Sequence, residues 1–133
     1  MVLPRNVPLP AFINAKKCCI QHSAPNIPNS LSFYNCLSYN LSIPRKVLDN
    51  TWLDKYKPMK LEKLGEFEKE NGLSINVFGV LINGTVALHI SQNYEISDKL
   101  HIDLLYVKRG SQFRYFRISD LSRLLGPQVA PRR

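Results

Sequence analysis

Apolar and polar positions follow two different periods in the second half of this chain. From Met59 to Asn71, Leu61, Leu64 and Phe67 recur at helical spacing with charged residues between them. Glu66 is placed favourably against Lys63 and Lys69, and unfavourably against Glu62. Gly65 weakens the centre of this helix by about 1 kcal/mol relative to Ala. Asn71-Gly72 is a natural stop, because Gly adopts the left-handed conformation at little cost. The period then drops to that of a strand. Leu73–Ile82 is β-branched and partly alternating, and Thr85–Ile90 reads as its return. Between them Asn83-Gly84 is a strong hairpin signal, since a type I′ turn needs positive φ at both central residues. A polar loop over Ser91–Lys99 leads to a third strand, Leu100–Val107. Lys108–Ser111 turns the chain into a fourth, Gln112–Ile118. Ser119 caps a short helix over Asp120–Leu125, which Gly126-Pro127 ends.

The first half is less regular. Pro4, Pro8, Pro10, Pro25 and Pro28 fall early, and each removes a donor and restrains its predecessor. Residues 1–30 read as a proline-rich, poorly ordered segment, with one short helix at Lys16–Gln21. Leu31, Phe33, Tyr34, Leu37 and Tyr39 are apolar enough to pack. Pro44 opens a helix over Arg45–Tyr56 that gathers Val47, Leu48, Trp52, Leu53 and Tyr56 on one face. The expected fold class is α+β: a helical and irregular N-terminal half, a four-stranded antiparallel meander, and a short C-terminal helix. Residues 31–126 form the single domain and 127–133 a basic tail. Leu64, Phe67, Val77, Leu88, Leu104 and Tyr106 are the candidate core.

A length of 133 residues leaves room for one domain. No apolar run reaches 18 residues, so no membrane span is expected. Charge adds a partner class. The net charge is +8, divided as +5 over residues 1–58, −2 over 59–100 and +5 over 101–133. Such an excess favours an anionic partner. In the last block Lys108 and Arg109 sit at a turn, with Arg114, Arg117 and Arg123 close in sequence. Phe113, Tyr115 and Arg117 share a strand face. Rings interleaved with Arg suit single-stranded nucleic acid, which stacks its bases and neutralises its phosphates there. Lys108, Arg109, Arg114, Tyr115, Arg117 and Arg123 are therefore the candidate contacts for DNA or RNA, without sequence preference. The plain alternative is one core face and one solvated basic face.

Catalytic and metal signals are sparse. Cys18 and Cys19 are adjacent, which strains a mutual disulfide, and Cys36 stands alone. Reduced intracellular thiols follow. His22, His89 and His101 show no metal-ligand spacing, and there is no phosphate-binding glycine loop or hydrolase elbow. No cofactor or metal is expected. Early prolines oppose a signal peptide, so the glycosylation tripeptides at Asn40 and Asn83 carry no weight. Asp103 lies in an apolar strand; facing inward it needs a partner, for which Arg114 or Arg117 would serve.

One order of motifs stands out: Phe67-Glu68-Lys69-Glu70-Asn71, Ser74–Gly79, His101–Val107, then Phe113–Leu125 and Gln128-Val129. It resembles the domain found upstream of the protein-primed family B DNA polymerase in Polinton- or Maverick-like mobile-element proteins of invertebrates. The resemblance covers about residues 59–129. It implies an intracellular protein, nuclear or cytoplasmic, that accompanies nucleic acid. The chain departs from the pattern in two places. Arg114 stands where the family has His, and Lys16–His22 lacks the aromatic residues that follow the family's Cys. It also stops where the family's zinc-binding segment would begin, as a truncated and divergent copy does. Arg cannot act as a general base, so the expected role is non-enzymatic. The rival is a degenerate or active papain-like cysteine peptidase using Cys18 or Cys19 with His101. A small protein-interaction module, docking through sheet edges or the proline-rich segment, is the third possibility.

Overall fold

The computed structural model of the chain describes residues 20–21, 27–50, 53–81, 84–93, 96, 98–121 and 124. Among them the elements run β1 (Ile20–Gln21), α1 (Ser32–Ser38), α2 (Arg45–Asn50), α3 (Leu64–Asn71), β2 (Ser74–Leu81), β3 (Gly84–His89), β4 (His101–Arg109) and β5 (Gln112–Ile118). Single 3-10 turns precede α1 and α3, follow α2 and precede β4. The class is α+β.

The sheet is mixed, and its strand order is β1-β5-β4-β2-β3. This overturns the expected antiparallel meander, in which β4 would follow β3 in space. Instead β4 pairs β2 in parallel, while the β2–β3 and β4–β5 pairs are antiparallel. Burial supplies the reason. Ile75 and Val77 pack on one side of β2 and Phe78 on the other, so β2 needs a neighbour along both edges. β3 leaves Val86 and Leu88 about two-fifths exposed and suits an edge. The polar stretch of residues 90–100 is long enough for β4 to lie along the edge of β2 opposite β3.

Other boundaries move as well. Leu81 pairs with Gly84, so the hairpin loop is Ile82-Asn83, one residue earlier than expected, and those two residues lie outside the described set. The helix expected over Arg45–Tyr56 stops at Asn50, and a separate turn covers Asp54–Tyr56. α3 ends at Gly72 with φ +65°, where the sequence placed its stop. The closing helix over Asp120–Leu125 is not borne out; half of that stretch lies outside the described residues. Leu124, with Leu121 beside it, packs on the second face of the sheet. Within the segment expected to be poorly ordered, Ile20–Gln21 pair with β5 as β1, where a helix was expected to end.

Two apolar layers flank the sheet. Phe33, Leu37, Val47, Tyr56, Leu64 and Phe67 cover one face, meeting Ile75, Val77, Leu104 and Tyr115. On the other, Ile20, Phe78, Leu105, Phe116 and Ile118 form a second cluster. Of the candidate core, Leu64, Phe67, Val77 and Leu104 are buried, Tyr106 is half-buried, and Leu88 is exposed.

A charged knot ties the turn after α2 to α3. Lys55 Nζ lies 3.1 Å from both Glu66 and Glu70. Tyr56 Oη lies 2.6 Å from Glu70 and 2.9 Å from Glu66. Lys55 and then Tyr56 hold Glu66 below the usual carboxylate range; for Glu70, Tyr56 leads and Lys55 follows. A carboxylate held down in the folded state stabilises it above the unfolded pKa, and that share is lost as pH falls through the folded value. The thermal midpoint should therefore drop on acidification below the ordinary carboxylate range. The drop should be smaller in the E66Q/E70Q variant; an equal drop in both would remove the knot from the account. Both carboxylates are exposed, so added salt should shrink the difference.

Candidate functional site

The expected nucleic-acid contacts separate into an exposed pair and a buried pair. Lys108 and Arg109 end β4 and are exposed, beside the Gly110-Ser111 turn. Arg114 is buried. Its Nη1 donates to Ile27 O at 2.8 Å and Asn29 Oδ1 at 3.1 Å, so its charge secures the segment running beside β5. Tyr115 is buried in the helix-side core, and its hydroxyl donates to Met59 O at 2.7 Å. No base can stack on that ring. Arg117 is half-buried on the same face, close enough to Cys36 to act on it electrostatically. Arg123 lies outside the described residues.

Ring surface is available nearby, on both strands of the β4–β5 pair. Tyr106 and Phe113 are half-buried, with centroids 5.3 Å apart and planes 29° apart. The β4–β5 register places Tyr106 beside Tyr115 and Lys108 beside Phe113. Alternation then carries Tyr106, Lys108 and Phe113 onto the helix-side face. A hollow of about 360 Å³ opens beside them, lined by Gly79, Val86, Leu88, Tyr106 and Lys108 among others. Gly79 keeps its floor low. A Cβ there would stand 2.7 Å from Leu88 Cδ1, which leans across the gap. Burial, and after it the Glu62 carboxylate, push the Tyr106 phenol up from its ordinary pKa, which locates Glu62 near this strip. The sequence signal for this strip is the alternation in β4, which aligns Tyr106 with Lys108.

Two histidines are engaged elsewhere. His89 Nε2 lies 2.6 Å from Glu68 Oε1, and Glu68 Oε2 accepts Ile75 N–H at 2.8 Å. This pair borders a groove of about 530 Å³ between α3 and the segment after β3, also lined by Gly65, Lys69, Gln92 and Asn93. His101 sits between Ser74 and Asp103, at 2.8 and 2.9 Å. Asp103 thus finds its partner along its own strand, rather than in Arg114 or Arg117. Cys18 and Cys19, and with them the pairing of either with His101, lie outside the described residues. Cys36 is buried, and burial pushes its thiol up to about 12, which keeps it protonated and unreactive. Among the described residues no three His, Cys, Asp or Glu side chains are grouped to hold a metal ion, and no helix is long and apolar enough to cross a membrane.

Comparison of the chain with protein-family models, curated proteins and solved structures gives no match.

Proposed function

We propose that this chain is an intracellular nucleic-acid-associated domain that holds single strands weakly and through charge. The observation that carries the reading is the strip of half-exposed rings, Tyr106 and Phe113, leading to exposed Lys108 and Arg109. The net charge of +8 supports it, and the resemblance to a polymerase-associated mobile-element domain accords with it. Phosphates meet Lys108 and Arg109, while a base lies against Tyr106.

Binding of this kind has a dissociation constant of roughly 10⁻⁴–10⁻⁶ M at physiological salt, with a log–log salt slope of about 0.7 per phosphate on single strands. K108Q/R109Q should weaken binding to single strands and duplexes alike. Y106A should remove about 1–3 kcal/mol from single strands alone. E62Q should tighten both, because it removes a carboxylate near the strip. Fluorescence anisotropy with labelled oligonucleotides across a salt series reads all three. Absence of binding at low ionic strength would overturn the proposal. The protein-interaction reading would then lead, since Val86, Leu88 and Ile90 lie 40–46% exposed on and just beyond edge strand β3.

A further inference from the structure

A second cluster lies on the opposite face of the sheet and depends on the parallel pairing of β2 with β4. The register sets Ser74 beside His101 and Asn76 beside Asp103. Alternation sends all four side chains to the face away from the helices. Ser74 Oγ lies 2.8 Å from His101 Nδ1, and His101 Nε2 lies 2.9 Å from Asp103 Oδ1. The carboxylate accepts only, so the proton of the neutral ring resides on Nε2. Nδ1 is then the acceptor, and the serine hydroxyl donates to it. Nucleophile, base and orienting carboxylate are thus joined in one chain, with the two ring nitrogens exchanged relative to the serine-protease arrangement.

Asn76 adds a donor. Its Oδ1 accepts Ser91 N–H at 3.0 Å, which fixes the amide orientation. Its Nδ2 lies 3.5 Å from His101 Nε2, a nitrogen that already carries a proton and cannot accept. The amide N–H therefore lies at the Asp103 end of the ring, opposite the serine. The His101 and Asp103 side chains are 30% and 19% exposed, while Ser74 is 8% exposed. A hydroxyl so largely covered favours a small acyl donor over a folded polypeptide.

We propose that Ser74 is an activated nucleophile that accepts the acyl group of a small carboxylic ester, with His101 as its base and Asp103 as the positioning residue. Oγ bonds to the carbonyl carbon as its proton passes to His101 Nδ1. The ester C–O bond then breaks, and the departing alkoxide takes that proton. Water releases the acyl group along the same path, with His101 again accepting and returning the proton.

A fluorophosphonate probe tests this directly, because attack by Oγ forms an O–P bond and expels fluoride. Intact-mass analysis of the full chain should show one phosphonyl adduct, and peptide mapping should place it on Ser74. S74A should abolish the adduct, and H101Q and D103N should each slow its formation by about 10²-fold or more. Circular dichroism of each variant separates lost reactivity from lost fold. The wild-type reaction needs no variant: no adduct after prolonged exposure, or an adduct on another residue, overturns the proposal. The Ser74–His101–Asp103 chain would then serve only to pin the start of β2 to the start of β4.

Discussion

Truncating Phe67 to Ala is expected to cost about 3–5 kcal/mol, a large part of the roughly 5–15 kcal/mol that stabilises a domain. Phe67 is fully buried on α3 and meets two rings edge-on: Phe33 at 5.4 Å and Tyr56 at 5.1 Å between centroids. Phe33 in turn meets Tyr115 at 5.2 Å. Removing the Phe67 ring therefore opens a cavity and loses both edge-to-face contacts. Neighbouring elements cannot collapse into the gap, because Tyr115 is tied to Met59 O and Tyr56 to the α3 carboxylates. Leu88→Ala is the internal comparison. Leu88 is 42% exposed on edge strand β3, so its loss should stay near the ~0.5 kcal/mol typical of surface positions. Urea unfolding of the two variants should give midpoints well apart. Midpoints that coincide would place the core elsewhere.

These positions also mark what the sequence made legible. Helical spacing put Leu64 and Phe67 inward, and strand alternation did the same for Val77 and Leu104; all four are buried. Local signals sufficed because each concerns the face of a single element. Strand order is a different quantity. It depends on which edges are satisfied, and the Ser91–Lys99 linker permits either a neighbouring or a crossing return. The composition of β2 held the clue: a strand apolar on both faces belongs inside a sheet, while Thr85–His89 suits an edge. The Ser74–His101 contact is not legible in the sequence, because those residues meet only across the parallel ladder. Arg114 and Tyr115 are covered, which the sequence does not show, for a related reason. Whether a basic or aromatic strand residue faces solvent depends on what covers it, and the cover comes from Ile27–Ser32, more than 80 residues away in sequence. β1 was invisible because two residues carry no periodicity.

Glu68 is where a second large loss of stability is expected, because it joins three elements with one carboxylate. It is 3% exposed on α3. One oxygen accepts the Ile75 N–H near the start of β2, and the other meets His89 Nε2 at the end of β3. Glu68→Ala orphans both groups at about 1–3 kcal/mol each when neither finds water. The adjoining groove lets water reach His89, whose side chain is 20% exposed, but Ile75 is fully buried. The Ile75 N–H therefore carries the larger share, and about 2–4 kcal/mol is expected for E68A. E68Q should cost less. Its amide oxygen still accepts from Ile75, and its N–H₂ donates to His89 once the ring proton moves to Nδ1. A double-mutant cycle with His89→Ala separates the two partners. The coupling energy between Glu68 and His89 should lie in the ~0.5–3 kcal/mol range of contacting residues, and most of the E68A loss should persist when His89 is absent. Strict additivity would mean that the 2.6 Å contact adds nothing to stability. Loss of the entire E68A effect in the H89A background would mean that the Ile75 bond adds nothing.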